Sequence, residues 1–163
     1  MARTPQQLIV LQLAVQLRRE VIRLTSSGTV LKDFQLKDQL RGSASAAPAH
    51  IEEGFKRVGS GEMAQFFRYA YATIGETEQW LADGIDRRHW TADDIRPAHT
   101  LIKRLTKALV NFLKYLQTAE AKKRSQEILS GRRAKPVEPV EPVEPVEPVE
   151  PVKRPWHEIP RRP

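Results

Sequence analysis

Residues 95–119 read IRPAHTLIKRLTKALVNFLKYLQTA, and the spacing of their apolar members decides the fold class. Ile95, Ala98, Ile102, Leu105, Leu109, Phe112, Leu116 and Ala119 advance in alternating steps of three and four, the period of a helix that buries one stripe. Thr91-Ala92-Asp93-Asp94 in front of them has the form of a capping box with acids in the first turn, where free backbone N–H groups favour carboxylates. The spacing predicts a helix through Ala119. Pro97 falls in its first two turns, where the missing donor removes at most one early hydrogen bond.

The same period extends back towards the N-terminus. Val10, Ala14, Leu17, Val21 and Leu24 predict a first helix from about Gln6 to Ser26, closed by Ser26-Ser27-Gly28. A second begins near Leu31 to Asp33 and carries Leu40, Ala44, Ala47, Ile51 and Val58; Pro48 inside it removes a backbone hydrogen bond and bends it. Gly59-Ser60-Gly61-Glu62 breaks the chain, with Ser60 as N-cap, and Met63, Phe67, Ala70, Ile74, Thr77, Leu81 and Ile85 predict a third helix to about Arg88. Four helices of similar length with short connections pack as antiparallel neighbours. The expected fold is all-α, an up-down antiparallel four-helix bundle over residues 1–130.

Residues 131–163 form a separate tail. Pro-Val-Glu repeats five times from Pro136 and ends as Pro-Val-Lys at Lys153. A proline every third residue cannot sustain a helix or a sheet interior but fits a polyproline II rod, with the glutamates along one edge. At about 3.1 Å per residue, Pro136 to Lys153 would span roughly 55 Å. The tail is expected to be extended or disordered, a spacer or a docking strip, and Lys153 to Pro163, with Trp156 and four basic residues, has the makings of a short linear motif.

Composition narrows the chemistry. Cysteine is absent, which excludes disulfides, thiol nucleophiles and thiolate zinc sites. The net charge is +7, and residues 1–130 carry 20 basic against 14 acidic side chains, so the excess belongs to the folded part and favours an anionic partner. Leu8-Ile9-Val10-Leu11 after Arg3 imitates a secretory signal, but Gln12 and Gln16 interrupt it and no small-residue cleavage site follows. No apolar stretch approaches the roughly 18 residues of a membrane span. A cytoplasmic protein without membrane contact is expected.

His50, His89, His99 and His157 offer no metal-binding pair: the order at His50 and Glu53 reverses that of di-iron bundles, and Asp86-x-x-His89 is a single copy. His50 is expected to bond a carbonyl freed by Pro48. There is no phosphate loop, no nucleophile elbow and no dinucleotide fingerprint, so no cofactor, no metal and no catalytic residue are expected. Glu78 borders the apolar stripe of the third helix, and a carboxylate there calls for a partner such as Arg41 or His50. The better-formed signal is basic. Arg96, Lys103, Lys107 and Lys114 fall within about 40° on a helical wheel, opposite the heptad stripe, with no acid among them. Arg19 and Arg23, with Arg18 adjacent, make a shorter copy on the first helix. Such a surface suits a phosphate backbone, read by charge and not by base. Phe66, Tyr69, Trp80 and Trp90 lie off the monomer-packing stripe, which predicts a homo-oligomer.

Gln39-Leu40-Arg41, leading to Ala47-Pro48-Ala49-His50-Ile51-Glu52-Glu53-Gly54-Phe55-Lys56-Arg57, resembles the pattern Q-L-R-R-A-A-V-S-I-P-A-N-I-A-E-G-F-x-R. That pattern is typical of the four-helix-bundle proteins encoded by intervening sequences in bacterial 23S ribosomal RNA genes. Gly75-Glu76-Thr77-Glu78-Gln79-Trp80-Leu81 is similar to the family's A-E-L-E-T-Q-L. The likeness covers about residues 6 to 120 and departs at His50, Gly42, Ala46 and Glu52. It implies an up-down bundle that assembles into a homopentameric ring, a fold shared with accessory proteins of diversity-generating retroelements that bind nucleic acid and a reverse transcriptase. The expectation is therefore a non-enzymatic oligomeric bundle binding RNA or DNA through Arg18, Arg19, Arg23, Arg96, Lys103, Lys107 and Lys114, with a reverse transcriptase as protein partner. The alternative is a protein-interaction scaffold that recruits a partner through its proline-rich tail.

Overall fold

A computed structural model describes residues 8–131, and the apolar stripes of the sequence turn inward there as helices. α1 (Ile9–Leu24) buries Leu13, Ala14, Leu17 and Val21; a 3-10 turn follows at Thr29–Lys32; α2 (Phe34–Lys56) buries Leu36, Leu40, Ala44 and Ile51. α3 (Ser60–Asp86) contributes Phe67, Ile74 and Leu81, α4 (Arg96–Leu116) contributes Leu101, Ile102, Leu105 and Leu109, and a shorter α5 (Ala119–Leu129) buries Ala121. Among the described residues there is no strand. α1 packs on α2 and α4, and α3 on α2 and α4, which closes four long helices around one core. The tail from residue 132 onward, with the expected polyproline rod, lies outside the described residues, as do Gln6 and Gln7 at the expected start of the first helix.

α2 and α3 form the closest pair. Gly54 lets the backbones approach: a Cβ there would sit 2.9 Å from Phe66 Cβ and 3.0 Å from the Phe67 ring. Thr77 donates to Ser43 across the same interface at 3.1 Å, and Ser43 in turn donates to the Leu40 carbonyl at 3.2 Å, so both buried hydroxyls have partners. Arg41 does not reach Glu78, which is exposed on α3. Its Nε and Nη2 instead donate to the Thr25 hydroxyl (2.7 Å) and carbonyl (3.0 Å) at the end of α1, where a cation complements the helix dipole. His50 likewise does not serve the kink. Its ring lies 5.7 Å from that of Tyr69 and 6.5 Å from that of Phe66.

Three boundaries differ from expectation. Gly59, not Ser60, is the N-cap of α3, and the Ser60 N–H bonds Ser125 Oγ of α5 at 3.0 Å. The Thr91–Asp94 box forms, with Asp94 Oδ2 accepting from the Thr91 N–H and hydroxyl, but it holds a turn and α4 begins at Arg96. The last helix stops at Leu116 because Thr118 turns the chain and caps a new helix, its hydroxyl accepting from the Ala121 N–H at 3.2 Å. Trp90 is not part of an apolar surface: it is buried over Gly84, and its Nε1 donates to the Leu81 carbonyl at 2.9 Å.

Candidate nucleic-acid interface

The basic residues expected to meet phosphate lie on α1 and α4, which pack side by side. On α4 the inward positions Ala98, Leu101, Ile102, Leu105 and Leu109 leave Arg96, Lys103, Lys107 and Lys114 exposed. The three lysines form no hydrogen bond or ion pair among the described residues. At the helical rise they stand at intervals of about 6 and 10 Å along the axis. Arg96 pairs with Asp93, both side chains more than half exposed, a contact worth little in water and readily exchanged for a phosphate.

The α1 arginines are placed less uniformly. Arg19 is exposed. Arg18 is half-buried, and its Nε is enclosed without a hydrogen-bond partner. Arg23 donates to both oxygens of Glu20 at 2.9 and 2.6 Å. That hydrogen bond, with the charges of Glu20 and Asp94, holds the guanidinium above its ordinary pKa despite partial burial, so its charge is already matched within the protein. Arg104, exposed beside Lys103, and Lys122 and Lys123, exposed on α5, add cations that the sequence reading passed over. Arg104 was visible on the wheel at the edge of the stripe. The α5 lysines were hidden because that segment carried no helix in the sequence reading.

A polar cluster marks the end of the bundle where α1 leads into α2 and α3 into α4. His89 Nε2 lies 2.9 Å from Asp33 Oδ2 and its Nδ1 lies 2.8 Å from Thr29 Oγ1. Arg87 bridges Asp33 (3.1 Å) and Asp83 (2.7 Å). The His89 contact first, then the Leu36 N–H and Arg87, lower the Asp33 carboxyl to a pKa of about 2. Although hydroxyl, imidazole and carboxylate stand in the order of a hydrolytic triad, Asp33 also caps α2 and holds Arg87. The cluster pins the 3-10 turn to the end of α3. Among the described residues no group of three or more His, Asp or Glu could hold a metal ion, and no helix is long and apolar enough to cross a membrane.

These placements suit the surface to a polyanion held by charge: flexible ammonium groups in a row, free of carboxylates, on a rigid helix. A family model described as 23S rRNA-intervening sequence protein matches residues 6–111, from before α1 into α4. No curated protein matches the chain.

Proposed function

The chain belongs to the 23S rRNA-intervening sequence protein family, and from that premise we propose that it is a non-enzymatic, oligomeric, cytoplasmic bundle that binds RNA or DNA through the outer face of α4. The observation that carries this reading is the row Lys103, Lys107 and Lys114, exposed and without acidic partners among the described residues. Arg104, Arg96 and Arg19 extend it; Arg18 and Arg23, engaged in the protein's own packing, act from behind it. Assembly is supported by an aromatic group on the outer side of α2 and α3, where Phe66 and Tyr69 meet edge to face at 5.9 Å and Arg57 covers Phe66. Tyr69 there is nearly half exposed, the kind of surface a neighbouring subunit covers. In a five-membered ring the lysine row recurs once per subunit, and a reverse transcriptase that carries nucleic acid is the protein partner such a ring would serve.

Replacing Lys103, Lys107 and Lys114 by Gln keeps helix propensity and the packed face. Each phosphate contact contributes about 0.9 to the slope of log affinity against log salt for duplex DNA, so the slope should flatten by up to about 2.7 per engaged subunit. Oligomer mass by light scattering should not change. Absence of binding by the unaltered protein at about 50 mM salt, where the electrostatic contribution is strong, would refute the reading.

A further inference from the structure

At the end of the bundle away from Asp33, α5 packs on the start of α3 and the end of α4 and, with the C-terminal end of α2, borders a groove of about 300 Å³. Its floor is aromatic, with Phe55, Phe112 and Tyr115; Phe112 stacks on buried Phe67 with ring centres 4.7 Å apart, which fixes that floor. Its rim is cationic, with Lys56, Arg57 and Arg124, and none of the described residues that line it is acidic. Lys56 and Arg57 share the single carboxylate of Glu53. Among the described residues Arg124 has no ion pair, and its Nη1 is enclosed without a hydrogen-bond acceptor, an unmet demand for a negative oxygen at the groove itself.

We propose that this groove is the docking site of the chain's own Pro-Val-Glu repeat, residues 136–150. Aromatic-floored grooves recognise proline-rich segments because the polyproline II conformation costs little entropy to fix. With three residues per turn, the repeat presents proline on one edge, valine on a second and glutamate on the third. Proline and valine therefore face the aromatic floor while glutamates, about 9 Å apart, meet the rim. The charges are complementary, since two of the three rim cations share the Glu53 carboxylate, Arg124 forms no ion pair among the described residues, and the repeat brings five glutamates.

The path of the chain agrees. Ile128, in the last turn of α5, lines the groove. After it Gly131 adopts φ +67°, its N–H bonding the Ile128 carbonyl at 3.1 Å, and the Ser130 N–H bonds the Gln126 carbonyl at 2.9 Å. This left-handed glycine turns the chain sharply at the helix end. Only residues 132–135 then separate it from Pro136, at most about 18 Å of extended chain. The first repeats are thus within reach of the groove on the same subunit, and five copies of one triplet raise the effective concentration of the motif there.

Because the protein contains no cysteine, an engineered pair reports docking without ambiguity. In the full chain, Val58→Cys at the exposed lip of the groove is combined with Val140→Cys in the second repeat, and closure of the disulfide is followed by mass and gel mobility in dilute, low-salt buffer. The comparison pair is Ala82→Cys, exposed near the far end of α3, with the same Val140→Cys. The groove pair should close several-fold faster, within single chains. Arg124→Gln should slow it towards the comparison rate, as should Glu→Gln at positions 138, 141, 144, 147 and 150, a change that lies outside the bundle. Equal rates for the two pairs, no response to either set of charge removals, or cross-linked dimers in place of closed monomers would each overturn the proposal.

Discussion

Gly84 and Gly75 both lie within α3, and alanine should act on them in opposite directions. Alanine in a helix interior is favoured over glycine by about 1 kcal/mol. At Gly75, exposed and with nothing within 4 Å of an added Cβ, that preference acts alone, and Gly75→Ala should stabilise the bundle by up to about 1 kcal/mol. At Gly84 the added methyl would overlap the Cζ2 and Cε2 atoms of the Trp90 indole. The ring cannot yield in place, because it is buried and tied through Nε1 to the Leu81 carbonyl. Forcing it aside costs about 1–3 kcal/mol in packing, and about 1–3 kcal/mol more if the indole N–H loses its acceptor. With both costs and after the propensity gain, Gly84→Ala should destabilise by about 1–5 kcal/mol. Urea unfolding of the two variants and the parent, followed by circular dichroism at fixed protein concentration, measures both signs. The near-ultraviolet signal of the buried indole should weaken only in Gly84→Ala. Equal stability of the two alanine variants would refute the packing described for the corner between α3 and α4.

Two further outcomes follow from the same corner and the cluster beside it. Arg88 has φ +62° at the end of α3, where the His89 N–H bonds the Gly84 carbonyl and the Arg88 N–H bonds that of Ile85; a left-handed non-glycine residue costs about 1–2 kcal/mol, so Arg88→Gly should raise the urea midpoint, and an unchanged or lower midpoint would contradict that geometry. Asp33 has its folded pKa lowered from 3.8 to about 2. A lowered carboxyl pKa contributes stability that is complete above about pH 4 and disappears as pH falls through about 2. Asp33→Asn should therefore be less stable than the parent at pH 6, with the gap narrowing between pH 4 and 2; a gap independent of pH would assign the difference to lost hydrogen bonds alone.

How far the sequence carried depends on how many elements each feature needs. A buried stripe is a property of one helix, so the four long helices and the cores of their faces follow from the three-four spacing. The lysine row is likewise a one-helix property, since residues opposite a buried stripe must face out. The Arg23–Glu20 pair was also legible, at three residues' separation on α1, and is the feature that removes Arg23 from the free cations. Features that need two or more elements were not legible. Periodicity left Trp90 outside every stripe, and only the close approach at Gly84 explains its burial. Arg41 has two competing acceptors, the carboxylate of Glu78 and the end of α1, and the orphan carbonyls of a helix terminus win because they are fixed in place near it. The His89 cluster joins residues 60 positions apart, and the α5 groove draws on four helices.

α4 brings these strands together, since its successive faces do separate work. Leu101, Leu105 and Leu109 point into the bundle, and Lys103, Lys107 and Lys114 point away from it on the opposite side. Near its C-terminal end Phe112 and Tyr115 face the groove under α5. Because the lysines sit opposite the stripe that carries the core leucines and, further along the axis, Phe112, removing the lysine charges leaves core and groove untouched, and filling or emptying the groove leaves the lysine row in place. A polyanion on the outer face is held by many weak charge contacts and is released by salt. A proline-rich segment in the groove is held in part by apolar contact with fixed rings, which salt does not screen, and only its glutamate contacts weaken. Salt dependence therefore separates the two surfaces physically, steep at the outer face of α4 and shallow in the groove, even though both carry lysine and arginine.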